Sequence, residues 1–231
     1  MKGNSRNLCP ALAVIILLIT VFPLNAQSKI KLTWFGAGSV LFFPERNGVH
    51  SDAMHVLPSP GAGLALNVFG RLPINLEITL DLYLATYGYS YVLNRAVPRA
   101  WENRSAAVIG QVLGSQVSYF YRFKRVPITF RAYGGLAMDI RIIFKAWDLN
   151  SALDPIDEIR RETKAVSRYF WSGVRWLLPM IGIGADYDLN EKLRLGLDFR
   201  IWFPMYRMWT KENLPAIEGW RFGIGARLTF L

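Results

Sequence analysis

The last thirteen residues read Gly219-Trp-Arg-Phe-Gly-Ile-Gly-Ala-Arg-Leu-Thr-Phe-Leu231, and their alternation decides the fold. Trp220, Phe222, Ile224, Ala226, Leu228 and Phe230 are apolar, whereas Arg221, Gly223, Gly225, Arg227 and Thr229 between them are small, polar or charged. A period of two is that of a strand with two unlike faces. Chain ends usually fray at a surface, yet this one sets aromatic residues on one face and arginine with glycine on the other. A closing strand of a transmembrane β-barrel accounts for both: the apolar face meets lipid, and the Arg/Gly face meets a narrow lumen where glycine leaves room for arginine.

Composition agrees with this reading. The 231 residues are 52% hydrophobic and 14% aromatic against 19% charged, yet beyond residue 30 no apolar run reaches the roughly eighteen residues of a spanning helix. A formal charge of +10 raises the question of nucleic acid. The basic residues are spread over turns, one strand face and loops rather than one patch, so no nucleic-acid partner is expected. The single cysteine, Cys9, lies in the N-terminal segment expected to be removed, so the mature chain would have none and neither a disulfide nor a cysteine-ligated metal is expected.

Lys2 and Arg6 precede an apolar run over 8–22, which Pro23-Leu-Asn-Ala-Gln27 breaks. This order predicts a cleaved signal peptide over 1–26 and an exported mature chain over 27–231. The alternative, an uncleaved anchor helix, meets a run that is short for a span.

Eight strands are expected, near 30–42, 61–69, 74–84, 106–121, 128–142, 173–188, 193–203 and 219–231. The third is the clearest: Ile74, Leu76, Ile78, Leu80, Leu82 and Leu84 alternate with Asn75, Glu77, Thr79, Asp81 and Tyr83. In the sixth the apolar positions change phase at Pro179, which predicts a bulge there. Three short turns, near 70–73, 122–127 and 189–192, alternate with four long loops, 43–58, 87–105, 144–171 and 207–218. Within the third loop Asp154-Pro155-Ile-Asp-Glu158 predicts a short helix capping the barrel mouth, with an N-cap aspartate, proline at the first position and acids in the first turn. Short turns on one side and long loops on the other are the asymmetry of a barrel inserted from the periplasm, and an even strand number leaves both termini on the turn side. Trp171, Trp202, Tyr206, Trp209 and Trp220 near the loops, with Tyr119, Tyr121, Tyr187 and Phe230 near the turns, predict two aromatic girdles.

Alternation alone does not say which face is inside, and a soluble calyx of eight strands would bury the apolar one. The glycine- and arginine-rich opposite face and the aromatic terminus favour lipid outside. The lumen is then lined by Lys31, Glu77, Asp81, Arg131, Asp139, Arg141, Asp186, Arg194, Asp198, Arg200, Arg221 and Arg227. In a bore that eight strands leave just wide enough for side chains, these charges are expected to pair and fill it. The alternative is a narrow passive path, biased to anions by the basic excess or open to hydrophobic solutes.

Signals for catalysis are thin. His50, Ser51, Asp52 and His55 in the first loop, with Ser90 or Ser105 in the second, contain the residue types of acyl transfer, but no acid is placed to orient either histidine. The same residues lack a fourth ligand for zinc. Gly182-Ile-Gly184 and Gly223-Ile-Gly225 lie inside strands rather than at a strand-to-helix turn, so they read as lumen residues rather than a nucleotide loop. No catalytic residue, metal or cofactor is expected. Arg95, Arg99 and Arg104, among Tyr91 and Trp101, offer cations to anionic lipid head groups.

The final strand, Gly225-Ala-Arg-Leu228-Thr-Phe230, resembles the closing strand of bacterial outer-membrane barrels, with Leu231 after the aromatic and Ile224 at a usually polar position as departures. Over nearly all its mature length the chain looks like the small eight-stranded outer-membrane proteins of the A, X and W types. That resemblance implies an all-β, antiparallel, up-and-down transmembrane barrel in the cell envelope of a Gram-negative-type bacterium. It also implies Gly225, Leu228 and Phe230 as a membrane-insertion signal read by the barrel assembly machinery. Outer-membrane lipids, lipopolysaccharide-type head groups among them, are the implied surroundings, and a structural or surface-interaction role is the function expected.

Overall fold

The computed structural model describes residues 31–44, 54–67, 72–92, 95–98, 104–148, 156–208 and 219–231. The signal peptide expected over 1–26, His50, Trp101 and Trp209 lie outside these residues. Nine strands form one antiparallel sheet: β1 (Lys31–Pro44), β2 (Met54–Asn67), β3 (Ile74–Val92), β4 (Arg95–Pro98), β5 (Arg104–Arg122), β6 (Ile128–Asp148), β7 (Leu177–Asp188), β8 (Leu193–Trp202) and β9 (Arg221–Phe230). Each long strand pairs with its sequence neighbour, and β9 pairs with β1, from Trp34 opposite Phe230 to Phe42 opposite Phe222. The sheet therefore closes into an eight-stranded barrel, and β4 is a short return strand laid on the far end of β3.

Closure removes sheet edges, which is the condition for strands to stand in hydrocarbon. The apolar residues of the alternating faces point outward and stay exposed: Leu80 and Leu84 on β3, Ile181 and Ile183 on β7, Leu195 and Leu197 on β8, Ile224 on β9. Their neighbours in sequence are buried, as the burial of β7 and β8 at every second residue shows. No described helix is long and apolar enough to cross a membrane.

The elements differ from the sequence reading in several places, and the expected helix is present. β2 begins at Met54 rather than 61, and β3 runs to Val92 rather than ending near 84, so the wall extends into stretches read as loop. No bulge occurs at Pro179, where the β6–β7 register is unbroken. Leu178 and Met180 keep the inward phase because the bore at that height is apolar, and the one irregularity of β6 lies at 144, between the partners of Ala107 and Val108. The expected capping helix is a sixteen-residue α1 (Ile156–Trp171) packed on β4 and β6. It buries Glu162, Ala165, Val166 and Phe170 on one stripe. Finally, Trp202 and Tyr206, expected in the outer girdle, are turned inward and buried, whereas Trp171 and Trp220 are exposed.

Several lumen glycines accommodate rings rather than arginines. Gly63, Gly110 and Gly182 stand directly opposite Phe35, Tyr83 and Tyr133 across their strand pairs, and each ring occupies the place a side chain would take. Gly184, beside the Arg131 guanidinium, follows the expected use.

Candidate functional site

The site is the bore itself, built by inward positions of every barrel strand. Towards the turn end, Arg227 of β9 makes a bidentate pair with Glu77 of β3 (3.0 and 3.3 Å), and Gln116 donates to the same carboxylate at 2.7 Å. Beside it Arg131 of β6 reaches Asp198 of β8 at 2.7 Å and Asp186 of β7 at 3.0 Å, while the Tyr133 hydroxyl donates to Asp198 at 3.1 Å. Arg200 of β8 spans to Asp81 of β3 with two contacts, 2.7 and 3.3 Å. Towards the loop end, Asp139 accepts from Arg221 and from the Tyr83 hydroxyl (2.9 Å), and forms an ion pair with Arg141 at 3.1 Å. Bidentate, charge-assisted contacts of this kind are the strong ones inside a low-dielectric space.

Ten of the twelve lumen residues named from sequence are buried; the other two are not. Lys31 is exposed at the start of β1, and Arg194 is partly buried near the turn, paired with Asp188 at 2.6 Å. Two buried charges were absent from that set. Arg175, just before β7, packs between the Tyr169 and Tyr206 rings, and Glu162 of α1 accepts from the Tyr89 hydroxyl at 2.9 Å. Arg175 had a signal, since it alternates with Val174 and Trp176; Glu162 had none, because helix docking is a tertiary event. Among the described residues the buried charges are therefore six arginines (131, 141, 175, 200, 221, 227) and six carboxylates (77, 81, 139, 162, 186, 198). The basic excess read from sequence does not persist.

Each of the six arginines also lies against an aromatic face: Arg227 over Phe35 (3.6 Å), Arg175 over Tyr169 (4.2 Å), Arg141 over Phe170 (4.4 Å), Arg221 over Phe43 (5.3 Å), Arg200 over Trp202 (5.4 Å) and Arg131 over Tyr133 (5.6 Å). Desolvated contacts of this sort contribute about 2 kcal/mol. Around the loop-end tier an apolar cluster of Leu41, Phe43, Val108, Val112, Leu178, Met180 and Trp202 meets Ala165, Val166 and Phe170 of α1. The void among Asp81, Asp198, Arg131 and Arg200 measures about 10 Å³, the space of roughly one water.

Among the described residues no group of three histidine, cysteine or acidic side chains could hold a metal ion. His55 lies in β2, Ser90 in β3 and Ser105 in β5, within the sheet rather than in the loops read from sequence.

The solved structures similar to this chain are small outer-membrane barrels. They include Neisserial surface protein A, at 9% identity over 87% of this chain and 98% of that one with a TM-score of 0.47. The outer membrane protein OprG from Pseudomonas aeruginosa aligns at 11% identity over 87% of this chain and 97% of that one, TM-score 0.48. The N-terminal barrel domain of Pseudomonas aeruginosa OprF follows at 10% identity over 87% and 100%, TM-score 0.39. No protein-family model and no curated protein matches the sequence. The likeness is one of fold.

Proposed function

We propose that this chain is an integral barrel of a bacterial outer membrane, non-enzymatic, with a plugged lumen and a structural or surface-interaction role. One observation carries the proposal: among the described residues the six buried arginines and six buried carboxylates balance, and the void among Asp81, Asp198, Arg131 and Arg200 admits about one water. Paired charges that fill a bore leave no continuous wet path for an ion. The outward apolar band of β3, β7, β8 and β9 supports lipid as the surrounding medium. On this reading the chain is exported through a cleaved signal peptide and both mature termini stand on the periplasmic side. Its partners are outer-membrane lipids and the barrel assembly machinery, the latter reading Gly225, Leu228 and Phe230 of the closing strand.

Conductance in planar bilayers tests the plug. The unmodified protein is expected to give no discrete openings, while V166D combined with F170A, which removes apolar packing between α1 and the wall, is expected to admit them. Steady openings from the unmodified protein that charge reversal at Arg131 or Arg200 reduces would overturn the plugged reading in favour of a channel.

A second reading, a lateral path for hydrophobic solutes, draws on the seam between β2 and β3. Their ladder runs only from Gly61 opposite Asp81 to Leu66 opposite Leu76. Beyond Gly61, β2 pairs with β1 alone, and residues 82–88 of β3 pair with β5 alone. Pro58 and Pro60 have no amide hydrogen to leave unsatisfied at such a seam. Behind it lie Leu41, Phe43 and Tyr83 of the apolar cluster, with Leu57 against them.

A further inference from the structure

We propose that the turn-side rim of the barrel is a binding surface for anionic phospholipid head groups, with its cations on the phosphates and its apolar residues in the acyl boundary. The inference rests on the membrane reading above and names a lipid class for one end of the molecule.

The rim is a built ring. Phe120 donates its amide to the Pro73 carbonyl, Asp188 to Pro127, and Leu231 to Lys192, so each turn is tied to the next strand pair. Asp188 is held by Arg122 at 2.9 Å and Arg194 at 2.6 Å, which links the β5–β6 and β7–β8 turns. Turns bathed in water gain nothing from large apolar side chains, yet Leu72, Phe123, Val126, Leu189 and Leu231 are all at least 40% exposed here. Tyr121 stacks edge-on against Phe123 at 5.2 Å and continues the apolar tip into the outward girdle of Tyr119, Tyr187 and Phe230. The rim's exposed cations are Lys31, Arg122, Lys124, Arg125 and Lys192; its one exposed carboxylate among the described residues is Glu191. Apolar tips continuous with the lipid-facing girdle, set among cations, match the layered chemistry of an anionic leaflet, where acyl chains lie inward of phosphates. An acidic soluble protein would satisfy the cations but would leave unexplained why the apolar tips run into the girdle.

The test uses the full mature chain refolded into phosphatidylcholine vesicles that carry either brominated phosphatidylcholine or brominated phosphatidylglycerol. Trp34, the exposed tryptophan near this end, reports contact, and the W34F protein isolates its signal. Quenching by brominated phosphatidylcholine, together with migration in gels that changes on boiling, establishes insertion; their absence sinks the membrane reading rather than this one. In inserted protein, Trp34 quenching is expected to favour phosphatidylglycerol. Substituting K31E and K192E, the rim cations beside Trp34, should lower that preference at least about fivefold, the factor one cation contributes at an anionic surface, and added salt should weaken it. Equal quenching by the two lipids, or a preference unchanged in the K31E/K192E protein, overturns the proposal. Retention of an acidic soluble protein by a rim without lipid preference overturns it too.

Discussion

Arg227 of the closing strand and Glu77 of β3 hold each other in a bidentate pair across the bore, 150 residues apart in sequence. Neither is accessible to solvent beyond a few per cent. Removing one partner leaves a buried charge without its counterpart, which typically costs about 3–5 kcal/mol. R227M is therefore expected to destabilise the folded barrel by that order in urea titrations from vesicles. R227M combined with E77M should recover most of the loss, because two apolar side chains of similar volume leave no orphaned charge.

The Tyr133 ring lies against Gly182, its direct partner across β6 and β7, where a side chain at 182 would stand. G182L forces the ring away from Asp198 and should cost about 1–3 kcal/mol, the range of overpacked cores. A double-mutant cycle with Y133A checks the contact: the combined protein is expected to be more stable than the two single losses added, since removing the ring frees the space.

Leu197 is the most exposed of the large apolar residues described on the barrel strands, at 66%, and lies halfway along β8. If the wall stands in hydrocarbon, L197R should cost about 2–4 kcal/mol, the range for arginine near the bilayer midplane. Equilibrium unfolding from vesicles measures it. A protein whose outer face met water would tolerate the same change within about 0.5 kcal/mol.

The β2–β3 seam separates the two functional readings. Continuing the register past Gly61 sets Pro60 opposite Leu82. A P60C/L82C pair oxidised to a disulfide is expected to leave a plugged structural barrel unaffected. If the seam is a lateral path, uptake of a fluorescent hydrophobic solute into vesicles should fall on oxidation and return on reduction.

The alternation of residues 74–84, 128–142 and 219–231 could be read directly because strand faces are a local property: a period of two follows from backbone geometry wherever the strand later goes. The same locality made Glu77, Asp81, Arg131 and Arg227 legible as inward residues. It misled at Pro179, where apolar Leu178 and Met180 point inward, and at Trp202, whose ring lies against Arg200 and Gly223 inside the wall. A strand pattern assumes one polarity for the whole bore, whereas this bore is ionic at the turn end and mixes apolar side chains with the Asp139 tier beneath α1.

The sequence by itself determined an antiparallel barrel with an oily exterior and a charged interior, since each depends on neighbours within a few residues. Only the tertiary structure decided which charge meets which, that the described buried set is balanced, that α1 packs on the apolar cluster, and that the β2–β3 ladder stops at Gly61. The pairs that cross the bore join residues 55 to 150 apart in sequence, and no local pattern encodes the distance at which two side chains arrive across a closed wall.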